Sequence, residues 1–351
     1  MTLRDGQGES VDVETLAPYA GRFYTVVGGT HRSAATWRGE SEVDVVLARV
    51  ESVAQDVAAL TWRRTSGRTL PPWTPGAHID LVLPDGRSTQ YSLCGDPTDP
   101  TCYRIGVLRR DGIHSVSRAV HELRPGARLT IRGPRNHFAL VPAPSYVFIA
   151  GGIGITPLLP MMRSVDRSGV RWRALYAGRT RSGMAFLPEV AGYGDRVEVW
   201  VDDERGTMVD LAALVRDAPS DAAIYCCGPT PMIDAVEELG ARFASRRVVT
   251  ERFSAVPVDR DDDSRFQVRC ALSDVTVDVP PGASILQAVG AAGVTTVSSC
   301  GKGVCGTCET AVLEGAPDHR DVVLDEDEKA DGDTMMICVS RSLTPRLVLD
   351  L

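Results

Sequence analysis

The stretch Cys300-Gly-Lys-Gly-Val-Cys305-Gly-Thr-Cys308 places three cysteines and three glycines within nine residues, and a fourth cysteine, Cys338, follows in an apolar segment. The spacing Cys-x4-Cys-x2-Cys with a distant fourth cysteine is that of plant-type [2Fe–2S] clusters. Short spacers let one loop supply three thiolates, and the glycines allow positive φ and bring backbone N–H groups towards the sulfurs. The stretch therefore predicts a [2Fe–2S] site with Cys300, Cys305, Cys308 and Cys338 as metal ligands.

Three other uses of these cysteines fit less well. Disulfides belong to secreted chains, whereas the N-terminal ten residues contain no apolar signal-peptide segment. Structural zinc more often uses paired Cys-x2-Cys arms. Unliganded buried cysteines do not gather in a glycine-rich loop. Residues 265–351 resemble the plant-type ferredoxin family, which implies an α+β domain of the β-grasp type.

Composition limits the class of protein. The chain has 351 residues, 43% hydrophobic and 24% charged, enough for two or three domains. No run of 18 apolar residues exists, so we expect no membrane span and a cytoplasmic protein. Of the net charge of −8, the segment 265–351 carries 7 Lys+Arg against 13 Asp+Glu. This acidity argues against a nucleic-acid partner and favours a protein partner with a basic docking face.

The pattern of apolar and charged residues divides the rest of the chain into segments. Residues 1–42 form an N-terminal extension of unknown role. Short alternating apolar runs at 43–50, 57–62, 78–83 and 103–108 predict strands of an antiparallel β-barrel over 43–142, with one helix at 112–123. Apolar runs that alternate with helical segments predict a doubly wound α/β domain over 143–253. The charged segment 254–264 is a predicted linker.

A glycine-rich turn opens the α/β domain. The apolar run 146–150 predicts a strand buried on both faces, and it leads through Gly151-Gly-Ile-Gly-Ile-Thr-Pro157 into a predicted helix at 158–165. Glycines there let a pyrophosphate approach the backbone, and a helix N-terminus offers free N–H groups. The spacing is not G-x-G-x-x-G, so the turn alone is a weak sign of dinucleotide binding and depends on the neighbouring motifs for support.

Those motifs are Gln90-Tyr91-Ser92-Leu93, then Cys227-Gly228-Pro229 with Met232, then Glu251-Arg252-Phe253-Ser254. Together they resemble the ferredoxin-NADP reductase superfamily. The order of barrel, nucleotide domain and C-terminal ferredoxin is similar to the phthalate dioxygenase reductase and vanillate demethylase reductase branch. The resemblance covers residues from about 43 to 351.

The resemblance implies a role for each matching residue. Ser92, Cys227 and Phe253 would lie at the reacting rings, with Ser92 donating to the flavin N5, Cys227 beside the nicotinamide and Phe253 covering the rings. The remaining cofactor-binding residues implied in this way are Thr89, Gln90, Tyr91, Leu93, Ser115, Ser117, Arg118, Asn136, Phe138, Gly151, Gly152, Gly154, Thr156, Pro157, Arg179, Arg181, Gly228, Pro229 and Met232.

The sequence leaves two alternatives open, FMN or FAD for the flavin and NADH or NADPH for the nicotinamide cofactor. The family usually has an arginine two residues before the flavin tyrosine, where this chain has Thr89, and its phosphate-binding helix start departs at Ser115. The domain order implies FMN, while FAD stays open. Arginines at 179 and 181 follow the second strand of the α/β domain and could pair with a 2′-phosphate, but the branch mostly uses NADH, which we expect.

These parts imply an NADH-dependent oxidoreductase that passes electrons from the nicotinamide cofactor through a flavin and the cluster to a partner oxygenase. The resemblance implies a Rieske non-haem iron oxygenase, with a haem monooxygenase as the alternative. A stand-alone flavin reductase or a redox sensor is the alternative from another class. We expect a monomer.

Overall fold

A computed structural model describes residues 3–4, 10–11, 42–110, 116–243, 247–254 and 263–351. The chain divides into two units, Met1–Ala35 and Thr36–Leu351. The described part of the first unit is an antiparallel pair, β1 (Leu3–Arg4) and β2 (Ser10–Val11). Among the helices of the described residues, none combines the length and the apolar character that crossing a membrane requires.

The second unit begins with a six-stranded antiparallel sheet in the order β6-β5-β8-β3-β4-β7. An isolated bridge between Leu93 and Ile105 joins the two ends of this order and closes the barrel. The elements are β3 (Val43–Ala54), β4 (Val57–Arg64), β5 (His78–Val82), β6 (Ser88–Ser92), β7 (Tyr103–Leu108), α1 (Val116–His121) and β8 (Arg128–Arg135).

The barrel forms because alternate strand residues are apolar and turn inwards. Along β8 the burial alternates regularly, with Leu129 and Ile131 inside and Arg128 outside. Large side chains fill the interior, including Trp62 and Tyr103, both 0% exposed. Burying a side chain of this kind stabilises the fold by about 1.5–3 kcal/mol.

A five-stranded parallel sheet follows, in the order β11-β10-β9-β12-β13. All seven residues of the central strand β9 are buried, as its apolar run predicts. The chain leaves β9 towards one edge and returns to its other side, so the topological switch point lies between β9 and β12. The elements are β9 (Ser145–Gly151), α2 (Ile155–Ser168), β10 (Arg171–Gly178), α3 (Leu187–Ala191), β11 (Val197–Val201), α4 (Asp202–Arg205), α5 (Leu211–Arg216), β12 (Ala222–Cys227), α6 (Thr230–Arg242) and β13 (Arg247–Glu251).

The barrel and the parallel sheet share a core. Ala59 and Cys94 from the barrel pack in one buried cluster with Phe148 and Leu158 from the α/β part. At its border Arg104 of β7 forms a salt bridge of 2.6 Å with Glu189 of α3. Flavin-side and nucleotide-side residues are therefore held by continuous packing.

The last part is a mixed sheet in the order β15-β14-β20-β16-β18, with a separate pair β17-β19. Its first helix begins at Ser284, whose hydroxyl accepts a bond from Gln287 N at 3.1 Å in a capping box. The elements are β14 (Phe266–Cys270), β15 (Val275–Val279), α7 (Ile285–Ala291), β16 (Glu309–Glu314), β17 (Pro317–Asp318), α8 (Glu326–Asp331), β18 (Thr334–Met336), β19 (Arg341–Ser342) and β20 (Arg346–Leu349).

Most predicted elements are present with shifted ends. The helix predicted at 112–123 is described only as Val116–His121, since 111–115 lie outside the described residues, as do 255–262 of the predicted linker. The end of that linker is tied down, because Asp263 pairs with Arg320 at 2.7 Å. The domain boundaries stay predictions.

Candidate functional site

The predicted ligand cysteines approach one another across the cluster loop, which we define as residues 300–308. The thiol of Cys300 interacts with those of Cys305 and Cys338, and Cys338 also interacts with Cys308. Backbone N–H groups point at the sulfurs: Lys302 N lies 3.2 Å from Cys300 Sγ. Four convergent thiols with amide donors around them are the donor set of a [2Fe–2S] cluster.

A buried carboxylate holds the fourth ligand's segment beside the loop. Asp321 accepts bonds from Leu324 N at 2.9 Å and from Ser340 Oγ at 3.3 Å, two residues after Cys338. A Cβ on Gly303, which has φ +68°, would lie 2.5 Å from Val339 Cγ2. Glycine is therefore required there for the two segments to meet.

The flavin-side residues lie on β6 and leave buried polar atoms without partners. Among the described residues these atoms include Gln90 Nε2, Tyr91 Oη and, on the adjacent strand, His78 Nε2. Buried polar groups are rarely left unpaired, so these atoms fit a polar ring system that would satisfy them. Leu93 is instead 0% exposed and belongs to the barrel core, and Thr89 pairs with Leu81 in the sheet.

The predicted phosphate-binding residues are only partly described, because Ser115 lies outside the described residues. Ser117 Oγ accepts a bond from Arg110 N at 3.0 Å. Arg118 is exposed and lies 3.4 Å from Glu122 in the next turn of α1. Among the described residues, the Arg118 guanidinium pairs with Glu122 at an exposed position, where such a pair is weak.

Two further predicted residues, Asn136 and Phe138, lie in the loop after β8 and hold it in place. Asn136 Nδ2 donates to Thr74 Oγ1 at 2.8 Å, and Asn136 Oδ1 accepts from Phe138 N at 3.0 Å. Phe138 is 1% exposed and meets Tyr225 edge-on. Its buried ring anchors the loop by packing, and the flavin contact of Phe138 stays a prediction.

The nucleotide loop needs its glycines because backbone segments approach closely. A Cβ on Gly151 would lie 2.5 Å from Pro229 Cδ and 2.9 Å from Met232 Sδ, and one on Gly154 would overlap the Cys227 carbonyl. Gly152 has φ +53° with open space before it. This space at the carboxyl end of β9 is a cradle that a side chain would fill.

Two predicted groove residues are buried at the start of α2. Thr156 is 2% exposed, and its hydroxyl donates to Ile153 O at 2.9 Å. Pro157 is buried in the first turn of α2. Both side chains are buried at the start of α2, and their predicted role in lining the nucleotide groove stays a prediction.

The end of β12 brings Cys227 to the switch point. Cys227 is 0% exposed and lies opposite Glu251 in the register of β12 and β13. Burial is the main cause that raises the pKa of the Cys227 thiol, followed by the charge of Glu251. A neutral, buried thiol packs and does not act as a nucleophile.

Glu251 is a candidate site residue to which the sequence analysis assigned no role. Burial raises its pKa to about 8, against which a hydrogen bond from Ser92 acts in the lowering direction. Its Oε2 has no partner among the described residues. The signal available in the sequence was its place as the first residue of the motif Glu251-Arg252-Phe253-Ser254.

The remaining predicted residues flank this centre. Phe253 follows β13 and packs against the shared core. Arg179 is exposed at the end of β10, and its carbonyl accepts a bond from Asp203 N at 3.1 Å. Arg181 forms a bidentate salt bridge with Glu204. Its Nε donates to Oε1 at 2.7 Å and its Nη2 donates to Oε2 at 2.6 Å.

Comparison with known proteins agrees with this arrangement. Residues 268–343 match the model of the 2Fe-2S iron-sulfur cluster binding domain. The chain is 46% identical over 300 residues to phenoxybenzoate dioxygenase subunit beta of Ectopseudomonas oleovorans, covering 85% of this chain and 94% of that one.

Two solved structures share the architecture. Phthalate dioxygenase reductase, described as a modular structure for electron transfer from pyridine nucleotides to [2Fe-2S], matches with a TM-score of 0.66 and 33% identity over 88% of this chain and 98% of that chain. A type IV self-sufficient cytochrome P450 monooxygenase matches with a TM-score of 0.82 and 42% identity over 88% of this chain. This chain spans 41% of the length of that P450 protein.

The matches confirm the predicted three-part fold and the iron-sulfur domain. They also confirm the resemblance on which the oxidoreductase prediction depends. The chain belongs to the family of oxygenase reductases that contains phthalate dioxygenase reductase and the vanillate O-demethylase oxidoreductases.

Proposed function

We propose that this reductase takes electrons from NADH, passes them through FMN and a [2Fe–2S] cluster, and delivers them to a partner oxygenase. The observation that carries the proposal is the meeting of three loops in one unit. The Gly151 loop and the Cys227 turn share the switch point, Glu251 joins them to Ser92 on the barrel, and the cluster loop reaches the same barrel through Gly306.

The flavin site is supported by the unpaired polar atoms around Tyr91. A bound flavin supplies the conversion of a two-electron donor into single electrons, which is why the family uses it. In this chain Ser92 and Glu251 would bind and orient the ring, and Arg118 would hold the phosphate of FMN. Because Ser115 and Thr89 depart from the family pattern, the flavin's identity needs a direct test.

NADH is favoured over NADPH by the pairing of Arg181. Nε and Nη2 of Arg181 both donate hydrogen bonds to Glu204. A 2′-phosphate could bind Arg181 at these nitrogens only by displacing the Glu204 carboxylate. Parallel strands end at one edge, and β10 and β11 bring this pair to the side of the sheet where the adenosine would extend from the Gly151 loop.

The acceptor that we propose is a Rieske non-haem iron oxygenase, because relatives serve dioxygenase systems. A haem monooxygenase is the second candidate, favoured by the TM-score of 0.82 to a self-sufficient P450. We further propose a cytoplasmic monomer with no nucleic-acid partner. A stand-alone flavin reductase or redox sensor would need no oxygenase and would not require the cluster for turnover.

The first test is the visible spectrum of the purified protein, followed by denaturation and chromatography of the released flavin. Overlapping flavin and cluster bands with FMN released are expected. Release of FAD would reject the FMN assignment, and a spectrum without either chromophore would reject the electron path.

A further inference from the structure

The cluster loop touches the barrel at one glycine. Gly306, between the ligand Cys305 and Thr307, has φ +72°. A Cβ built on it would lie 2.5 Å from Nε2 and 2.6 Å from Cε1 of His137. No Cβ fits at these distances, so the backbone of the loop and the imidazole ring are already in direct contact.

His137 is a fixed surface for this contact. It follows β8 between Asn136 and Phe138. Asn136 is tied to Thr74 and Pro75 by bonds of 2.8 and 3.0 Å, and Phe138 is 1% exposed. With both sequence neighbours anchored, the ring cannot retreat by a simple shift of its loop.

The ring also connects the contact to the flavin strand. His137 stacks on His78, with ring centroids 5.9 Å apart and an interplanar angle of 27°. His78 is 5% exposed and lies opposite Ser92 in the register of β5 and β6. Burial and the nearby Arg135 lower the pKa of both histidines, which keeps both rings neutral and able to pack.

Resting on the proposed function, we propose that the contact between Gly306 and His137 sets the separation of flavin and cluster, with both as positioning residues for transfer of an electron between them. A side chain at 306 pushes the cluster loop away from the barrel. Hydride transfer would involve Ser92 and the Cys227 turn, whereas a side chain at 306 meets His137, so the rate of hydride transfer should not change.

The test compares two alanine variants of the same loop. Gly306→Ala meets His137, whereas Gly301→Ala has φ +63° and no atom within 4 Å of the added Cβ. Both carry a similar cost of positive φ, so their difference isolates the contact. The holoprotein is mixed anaerobically with NADH, and stopped-flow absorbance follows flavin reduction and then cluster reduction.

We expect Gly306→Ala to slow cluster reduction several-fold relative to Gly301→Ala, because the rate of electron transfer falls steeply as the two redox groups move apart. Flavin reduction by NADH should keep the same rate in both variants. Equal cluster reduction rates in the two variants would overturn the proposal. Loss of flavin reduction by NADH in the unmodified protein would instead reject the proposed function.

The double variant His137→Ala with Gly306→Ala completes a double-mutant cycle for this contact. Removing the imidazole makes room for the new Cβ, so the glycine change should have little effect in the His137→Ala background. The same slowing in both backgrounds would contradict a direct contact. If Gly306→Ala assembles no cluster, His137→Trp applies the same pressure from the barrel side, and an unchanged cluster reduction rate there would overturn the proposal.

Discussion

The Ser92 hydroxyl on the barrel strand β6 interacts with the carboxyl group of Glu251 at the end of β13 in the parallel sheet and acts to lower its pKa. The two residues come from different sheets and lie 159 positions apart in the chain. Glu251 also lies opposite Cys227. This relationship joins the flavin side and the nicotinamide side of the site through one buried carboxyl group.

Glu251 gives the first prediction, a pH dependence of flavin reduction. With a pKa of about 8, the carboxyl group is neutral below that pH and becomes charged above it. A hydride brings negative charge to the flavin, so an ionised carboxylate beside it opposes the transfer. In stopped-flow with NADH, the rate of flavin reduction should fall as pH rises through about 8, and Glu251→Gln should lose this fall.

The exposed Glu198 on β11 supplies the control, since Glu198→Gln should keep the profile of the unmodified protein. A decline above pH 8 that persists in Glu251→Gln would assign the titration to another group.

Glu204 gives a prediction on nucleotide preference. In Glu204→Gln the guanidinium of Arg181 loses a charged partner and becomes available to a 2′-phosphate. The ratio of kcat/KM for NADPH over NADH should rise several-fold, because Arg181 can then pair with the 2′-phosphate at an exposed position where solvent weakens the pair. Steady-state reduction of ferricyanide measures both constants.

Arg181→Ala added to Glu204→Gln should abolish that gain. A gain that survives without Arg181 would place phosphate recognition elsewhere, with the exposed Arg179 as the next residue to test.

The acidic helix α8 gives a prediction on the partner. Its N-cap Asp325 accepts a bond from Glu328 N at 2.8 Å, so reversing either charge would also disturb the helix. Glu326 and Asp327 are free of the cap, and the exposed Glu326–Lys329 pair contributes less than about 1 kcal/mol. Lysine at both positions should raise the KM for the oxygenase several-fold and leave ferricyanide reduction unchanged.

The matched control is Asp195→Lys on the exposed surface of the α/β part. If it weakens reduction of the oxygenase as much as the α8 variant, then net charge matters and the α8 face is not the docking surface.

Local motifs were predictable from the sequence because spacing alone determines them. The cysteines at 300, 305 and 308 lie on one loop, and the Gly151 turn joins a strand to the helix that follows it. Buried central strands such as β9 can be predicted because their sequences are continuous apolar runs. The edge strands β11 and β13 were not predicted, because their half-buried residues give no such run.

Contacts between distant segments could not be predicted in this way. Glu251 lies in a motif that was assigned a role only at Phe253, His137 was assigned no role, and each of the two makes its contact with a partner in another sheet or loop. The burial of Phe138 and Thr156, which match family motifs, likewise follows from packing and not from the motif. A motif locates a segment, while packing decides which way each side chain points.

The most direct measurement of the electron path is anaerobic stopped-flow with NADH on Cys305→Ala, followed by steady-state cytochrome c reduction. Cys270→Ala is the control, since Cys270 is a buried cysteine of the same domain that is not a predicted ligand. Cys305→Ala should reduce its flavin and ferricyanide at the normal rate and lose cytochrome c reduction, while Cys270→Ala keeps both. Full cytochrome c reduction by Cys305→Ala would show that electrons leave without the cluster and would contradict the electron path.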